Sequence, residues 1–120
     1  PDGLGFDAFC ANPEAGVFAL SDGANSCPDS GKAAQWLCAQ ITQAPQPPQD
    51  PLDFEPVVKA LHHDMLHRFP DTAATLVGVH LGSGGLRLVS VGDSEMSVFE
   101  RRWWGRWRWC CQPRSTWLWR

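Results

Sequence analysis

Residues Ala74 to Val91 constrain the fold more than any other stretch of the chain. Thr75, Val77, Val79 and Leu81 alternate with the residues between them, Gly82-Ser83-Gly84-Gly85 supplies turn chemistry, and Leu86 to Val91 returns as a second apolar run. Alternation with period two places one set of side chains on each face of a pleated strand, and a glycine-rich break lets the chain reverse at once. The segment predicts an antiparallel hairpin, and with it a protein built at least in part on an antiparallel sheet.

A second hairpin is expected nearer the start. Phe6 to Asn12 alternates loosely, Asn12-Pro13-Glu14-Ala15-Gly16 is turn chemistry, and Val17 to Ser21 is an apolar run of strand length. Asp29 or Ser30 can then cap a helix whose apolar positions Ala33, Ala34, Leu37, Cys38 and Ile41 recur at helical spacing, and which ends before Pro45. Four prolines and three glutamines between Gln43 and Pro51 make a stiff or looping connector. Pro56 is tolerated only in a first turn, so a second helix begins near Asp53 and runs to about Arg68 with Phe54, Val58, Leu61 and Met65 in one stripe. A third strand, Glu95 to Glu100, follows the tight corner Gly92-Asp93-Ser94. Strands at both ends with helices between predict an α+β layer protein rather than alternating βαβ units.

At 120 residues the chain holds one domain at most, with one modest core. It contains no apolar run of about 18 residues and no charged, apolar, then small-residue leader, so a soluble, cytoplasmic protein is expected. Five cysteines, an odd number at irregular spacing, give no disulfide framework. Pro1 in place of methionine reads as a start inside a longer gene product. Charge divides sharply near Glu100. All 13 acidic residues lie in residues 1–100 with only four of the cations, a net of −9, whereas residues 101–120 hold six arginines, no acid and six of the seven tryptophans.

The apolar run Val17 to Ser21 stops abruptly on Asp22-Gly23. A carboxylate at the open end of a buried strand, followed by a glycine that lets backbone approach a ligand, is a way to place a hard metal ion. Asp93 repeats the arrangement at the later corner. With these pieces in order, the chain resembles the metal-dependent protein serine/threonine phosphatases of the PPM (type 2C) family, particularly the compact bacterial members. The matching pieces are Phe6-Asp7-Ala8-Phe9 and Val17-Phe18-Ala19-Leu20-Ser21-Asp22-Gly23, then Gly31-Lys32-Ala33-Ala34, Thr72-Ala73-Ala74-Thr75-Leu76-Val77 and Val91-Gly92-Asp93-Ser94. The resemblance covers roughly residues 5–100.

That resemblance implies a four-layer αββα sandwich of antiparallel sheets with flanking helices, present here in part and truncated after the Gly-Asp-Ser strand. It implies a two-metal Mn²⁺ or Mg²⁺ centre in which Asp22 is the bridging carboxylate, Gly23 a carbonyl ligand, Asp7 the strand aspartate of an acidic pair, and Asp93 a ligand near a third, weaker metal. It also implies a phosphoserine or phosphothreonine protein substrate attacked by metal-activated water, a monomer, and no nucleic-acid or membrane partner. Hard cations demand oxygen ligands, and two of them can make a shared water nucleophilic toward phosphorus. The chain departs from the family pattern in several places. Phe6 stands where the first acid of the pair is usual, Asp2 and Gly3 stand where a phosphate-gripping arginine is expected, and Ala24-Asn25-Ser26 replaces a glycine-rich run. No acidic residue follows Glu100 to supply the last two metal-binding aspartates. The expectation is therefore an incomplete ligand set and an inactive chain, with a non-catalytic phosphatase-like binding module as the alternative.

Residues 101–120, RRWWGRWRWCCQPRSTWLWR, carry two readings of their own. One is an Arg/Trp tail for an anionic membrane surface or nucleic acid; the other is a GC-rich gene translated in a shifted frame, which the simultaneous loss of acids and periodicity favours. Two further candidates are set aside. His63 and His67 lie one turn apart on a helix, but the zinc-protease pattern they echo needs glutamate between them and a third ligand. Ser21 and Ser94 lack the elbow motif and partner base of a nucleophile.

Overall fold

The computed structural model describes residues 6–43, 54–82 and 85–111. The connector expected between the helices (44–53), turn positions 83 and 84, Asp2 and Gly3, and residues 112–120 lie outside the described residues.

The elements run β1 (Asp7–Asn12), β2 (Val17–Asp22), α1 (Ser30–Gln43), α2 (Phe54–Arg68), β3 (Leu76–Gly82), β4 (Gly85–Val91), β5 (Val98–Arg101) and β6 (Trp107–Cys111). The first four strands form one antiparallel sheet in the order β1-β2-β3-β4, and β5 and β6 form a separate two-stranded sheet. This is the α+β architecture expected from the sequence, with both early hairpins in place.

The first hairpin turns at Gly16, whose φ of 69° suits glycine. Its nitrogen donates to the Pro13 carbonyl at 3.2 Å, and Asn12 Oδ1 accepts the Ala15 amide at 3.2 Å. Alternation then sorts β2 into two faces. Val17, Ala19 and Ser21 are buried beneath the helices, while Leu20 and Asp22 are exposed on the other face. Register places Phe9, Phe18, Val77, Val79 and Leu88 on the same side as Leu20. On this face Phe9, Leu20, Leu81 and Leu86 remain 65%, 49%, 55% and 39% exposed.

On the opposite face, α1 packs across β1 and β2 and against α2. Ala33, Ala34, Leu37, Cys38 and Ile41, the stripe read from the sequence, are completely buried, and they meet Val58, Leu61 and Met65 of α2 together with Leu76 and Val91 of the sheet. Asn12 Nδ2 donates to the Thr42 carbonyl at 3.1 Å and so ties the last turn of α1 to the end of β1. Trp36 meets Phe69 edge-on at 6.2 Å, and the Arg68 guanidinium lies 5.5 Å from the Trp36 ring, closing the outer side of the helix pair. No described helix is long and apolar enough to cross a membrane.

Two boundaries differ from the sequence reading. The strand expected at Glu95 begins instead at Val98, because the chain from Gly92 to Ser97 is held as a corner by hydrogen bonds around Ser94. The Arg/Trp segment, where no strand alternation was read, contributes β6. Phe99 pairs with Trp109 and Arg101 with Trp107 across the ladder, and Gly105 makes the turn at φ 87°.

Candidate functional site

β1 and β2 end together. Their register runs Asn12↔Val17 at the turn to Asp7↔Asp22 at the open end, so the two aspartates are direct cross-strand neighbours on the face away from the helices. A hydrogen bond between the two carboxyl groups raises the Asp22 pKa above its usual value, with desolvation and the negative charges of Asp7 and Asp93 acting in the same direction. Asp93, on the corner after β4, thus exerts its field on the same strand end. The structure brings Asp7 and Asp22 together and sets Asp93 near enough to act on Asp22 through space.

The backbone continues the β2–β3 ladder beyond both strands. Thr75 N donates to the Asp22 carbonyl at 2.8 Å, Gly23 bridges Ala74, and Ala24 N donates to the Ala73 carbonyl at 2.8 Å. The return bond from Asp22 N goes to the side chain of Thr75, at 3.1 Å from Oγ1, while the Thr75 carbonyl accepts the Ser21 hydroxyl. Oγ1 also shares a hydrogen bond of 2.6 Å with Ser94 Oγ, and Ser90 Oγ donates to the Ser94 carbonyl at 2.8 Å. Ser21 and Ser94 are therefore occupied by structure.

Gly23 is buried, and its amide donates to the Phe6 carbonyl at 2.9 Å. A Cβ at this position would collide with the Ser30 carbonyl and sit 3.0 Å from Gly31 N. Packing of the α1 N-terminus against β2 thus requires glycine here, independently of any ligand. Lys32 stays at that helix start, with Nζ 3.1 Å from Asp29 Oδ1.

The profile of the protein phosphatase 2C family matches residues 4–116. The chain belongs to the protein phosphatase 2C family. The matched region runs beyond Glu100 and includes most of the Arg/Trp segment. No curated protein and no solved structure matches the chain.

For a 2C-type domain the donor chemistry at the β1–β2 end is apt in kind and short in number. Paired carboxylates on a water-facing edge suit hard divalent cations. Among the described residues, however, no three His, Cys, Asp or Glu side chains converge closely enough to enclose a metal ion. Phe6 contributes a backbone carbonyl to the Gly23 amide, and its side chain offers no donor. The histidine pair on α2 is a ring contact, His63 and His67 meeting edge to face at 4.8 Å. His62, half-buried beside them, has its pKa lowered by burial and then by His63.

The sequence reading named Asp7, Asp22, Gly23 and Asp93 but gave no separate part to Thr75, Ser90 or Ser94. Thr75 reads as an alternating position of the strand expected from Ala74, but that strand begins at Leu76, and the partner Asp22 lies 53 positions away across two helices.

Proposed function

We propose that this domain is a metal-dependent protein serine/threonine phosphatase whose aspartates Asp7 and Asp22, with the Gly23 carbonyl and Asp93, are the part of a Mn²⁺ or Mg²⁺ ligand set that this chain supplies. Membership of the protein phosphatase 2C family supports the reaction class. The observation that carries the site is the cross-strand pairing of Asp7 with Asp22 at the open end of the β1–β2 ladder, where Asp7 and then Asp93 raise the Asp22 pKa, since like charges so placed repel unless a cation or proton joins them.

A divalent pair, when bound, supplies Lewis acidity toward a water nucleophile and toward the phosphoryl oxygens. The protein's own residues do the holding. The β1–β2 ladder fixes the carboxylates opposite one another, and Thr75 fixes the Asp22 backbone, so that the pair can offer oxygen donors from one edge. The substrate class is a phosphoserine or phosphothreonine protein, which reaches the exposed strand end from the helix-free face.

With so few convergent donors, hydrolysis by this chain is slow or absent. The test is Mn²⁺-dependent hydrolysis of p-nitrophenyl phosphate and of a phosphothreonine peptide, with peptide binding followed in parallel. Little turnover alongside Asp22-dependent Mn²⁺ binding is the expected result. Robust turnover abolished by Asp22→Asn would show that the ligand set is sufficient. Peptide binding indifferent to Mn²⁺ and to Asp22→Asn would favour the non-catalytic module, for which Phe6 in the place of an acid is the supporting feature.

A further inference from the structure

We infer that Thr75 is the positioning residue of this site: its side chain ties the Asp22 end of β2 to the Gly92-Asp93-Ser94 corner and so sets the spacing between the carboxylates on those two segments. The inference rests on the metal-site reading above and adds a residue that contributes no ligand.

In an antiparallel ladder, residues in a hydrogen-bonded pair exchange two N–H···O=C bonds. Asp22 and Thr75 stand in that relation, continuing the register of Leu20 with Val77, yet only one of the two bonds is made between backbones. The other runs from Asp22 N to Thr75 Oγ1. A threonine hydroxyl has one proton and two acceptor sites, so while accepting from Asp22 N it can still donate to Ser94 Oγ, 2.6 Å away. One hydroxyl therefore touches both segments that carry the aspartates.

The methyl group holds the same corner from its other side. A Cβ at Gly92, where φ is 95°, would stand 2.8 Å from Thr75 Cγ2, so the backbone of the corner lies directly against that methyl. Ser90 Oγ, donating to the Ser94 carbonyl, completes the brace from β4. Supporting partners of metal-binding residues typically matter by about 10–100-fold in affinity, because they fix ligands before the ion arrives.

The experiment measures Mn²⁺ affinity from the electron paramagnetic resonance signal of free Mn²⁺ at pH 7, with far-ultraviolet circular dichroism and thermal melting as folding controls. Wild type, Asp22→Asn, Thr75→Val, Thr75→Ser and Ser94→Ala are compared. The expected result is Asp22-dependent binding that weakens about tenfold or more in Thr75→Val. Thr75→Ser, which keeps the hydroxyl, should recover binding to within a few-fold, and Ser94→Ala should weaken it, which decides the matter even if the valine variant fails to fold. Asp22-dependent binding that is equal in wild type and folded Thr75→Val overturns the role of Thr75 and leaves the metal site standing. Thr75→Ser as weak as Thr75→Val, or Ser94→Ala equal to wild type, also overturns it. Absence of Asp22-dependent binding in wild type removes the metal site and this inference together.

Discussion

Asp22 faces Asp7 directly across the open end of the β1–β2 ladder, and Asp7 holds the Asp22 carboxyl above its usual pKa. Like charges in that relation destabilise a sheet, by about 0.2–1 kcal/mol for a cross-strand pair. Folding alone would favour an uncharged or oppositely charged partner at either position. On the function proposed above, a bound cation would offset that repulsion.

The pair also makes stability depend on pH in a definite direction. Asp22 has its pKa raised in the folded chain, so the folded state holds that proton more tightly than the unfolded state does. Stability without metal therefore falls as pH rises from the ordinary carboxyl value of 3.8 through the raised one. Asp22→Asn should raise the metal-free melting temperature at pH 7 by about 2–4 °C, corresponding to about 0.5 kcal/mol after screening at this exposed site. The gain should vanish below about pH 3, where both states are protonated. A melting temperature lowered at pH 7 would contradict the repulsion.

Gly23→Ala tests what packing demands of the Asp-Gly step. The added methyl meets the Ser30 carbonyl, and both belong to backbone that is tied down, Gly23 to Phe6 and Ser30 to the Cys27 carbonyl at 3.1 Å. Relief requires moving the α1 N-terminus, so a loss of about 1–3 kcal/mol is expected by chemical denaturation. A neutral substitution would show that α1 approaches β2 less closely than described.

Cys38 gives a chemical probe of the helix–sheet interface. Burial, and then the neighbouring Cys10, push its thiol up to about 12, while its Sγ lies 3.5 Å from the Ala8 carbonyl. Iodoacetamide at pH 8 in the native state should therefore label Cys38 last among Cys10, Cys27 and Cys38, with its rate limited by opening of the structure. Mapping by peptide mass checks the order. Early labelling of Cys38 would mean that α1 does not stay seated on β1.

The sequence made the helices legible because each buries a single stripe. Leu37, Ile41, Val58 and Met65 announce by their spacing the faces that the structure buries. The hairpins were legible for the equivalent reason, a period of two broken by turn residues. Asp22 opposite Asp7 follows from the turn at Gly16, since a short hairpin fixes its own register. The Asp22–Thr75 relation was not legible, because pairing β2 with β3 across α1 and α2 is decided by packing and uses a hydroxyl where a carbonyl is usual. Strand β6 was hidden for a different reason. Trp107, Arg108 and Trp109 alternate for too few residues to stand out in a segment rich in both types.

The most direct test of the central claim is paramagnetic broadening by substoichiometric Mn²⁺ in the ¹H–¹⁵N spectrum. The account predicts selective loss of the amide signals of Asp7, Asp22, Gly23 and Asp93, restored in Asp22→Asn. Broadening centred elsewhere, such as on His63 and His67, or unchanged in Asp22→Asn, would contradict it.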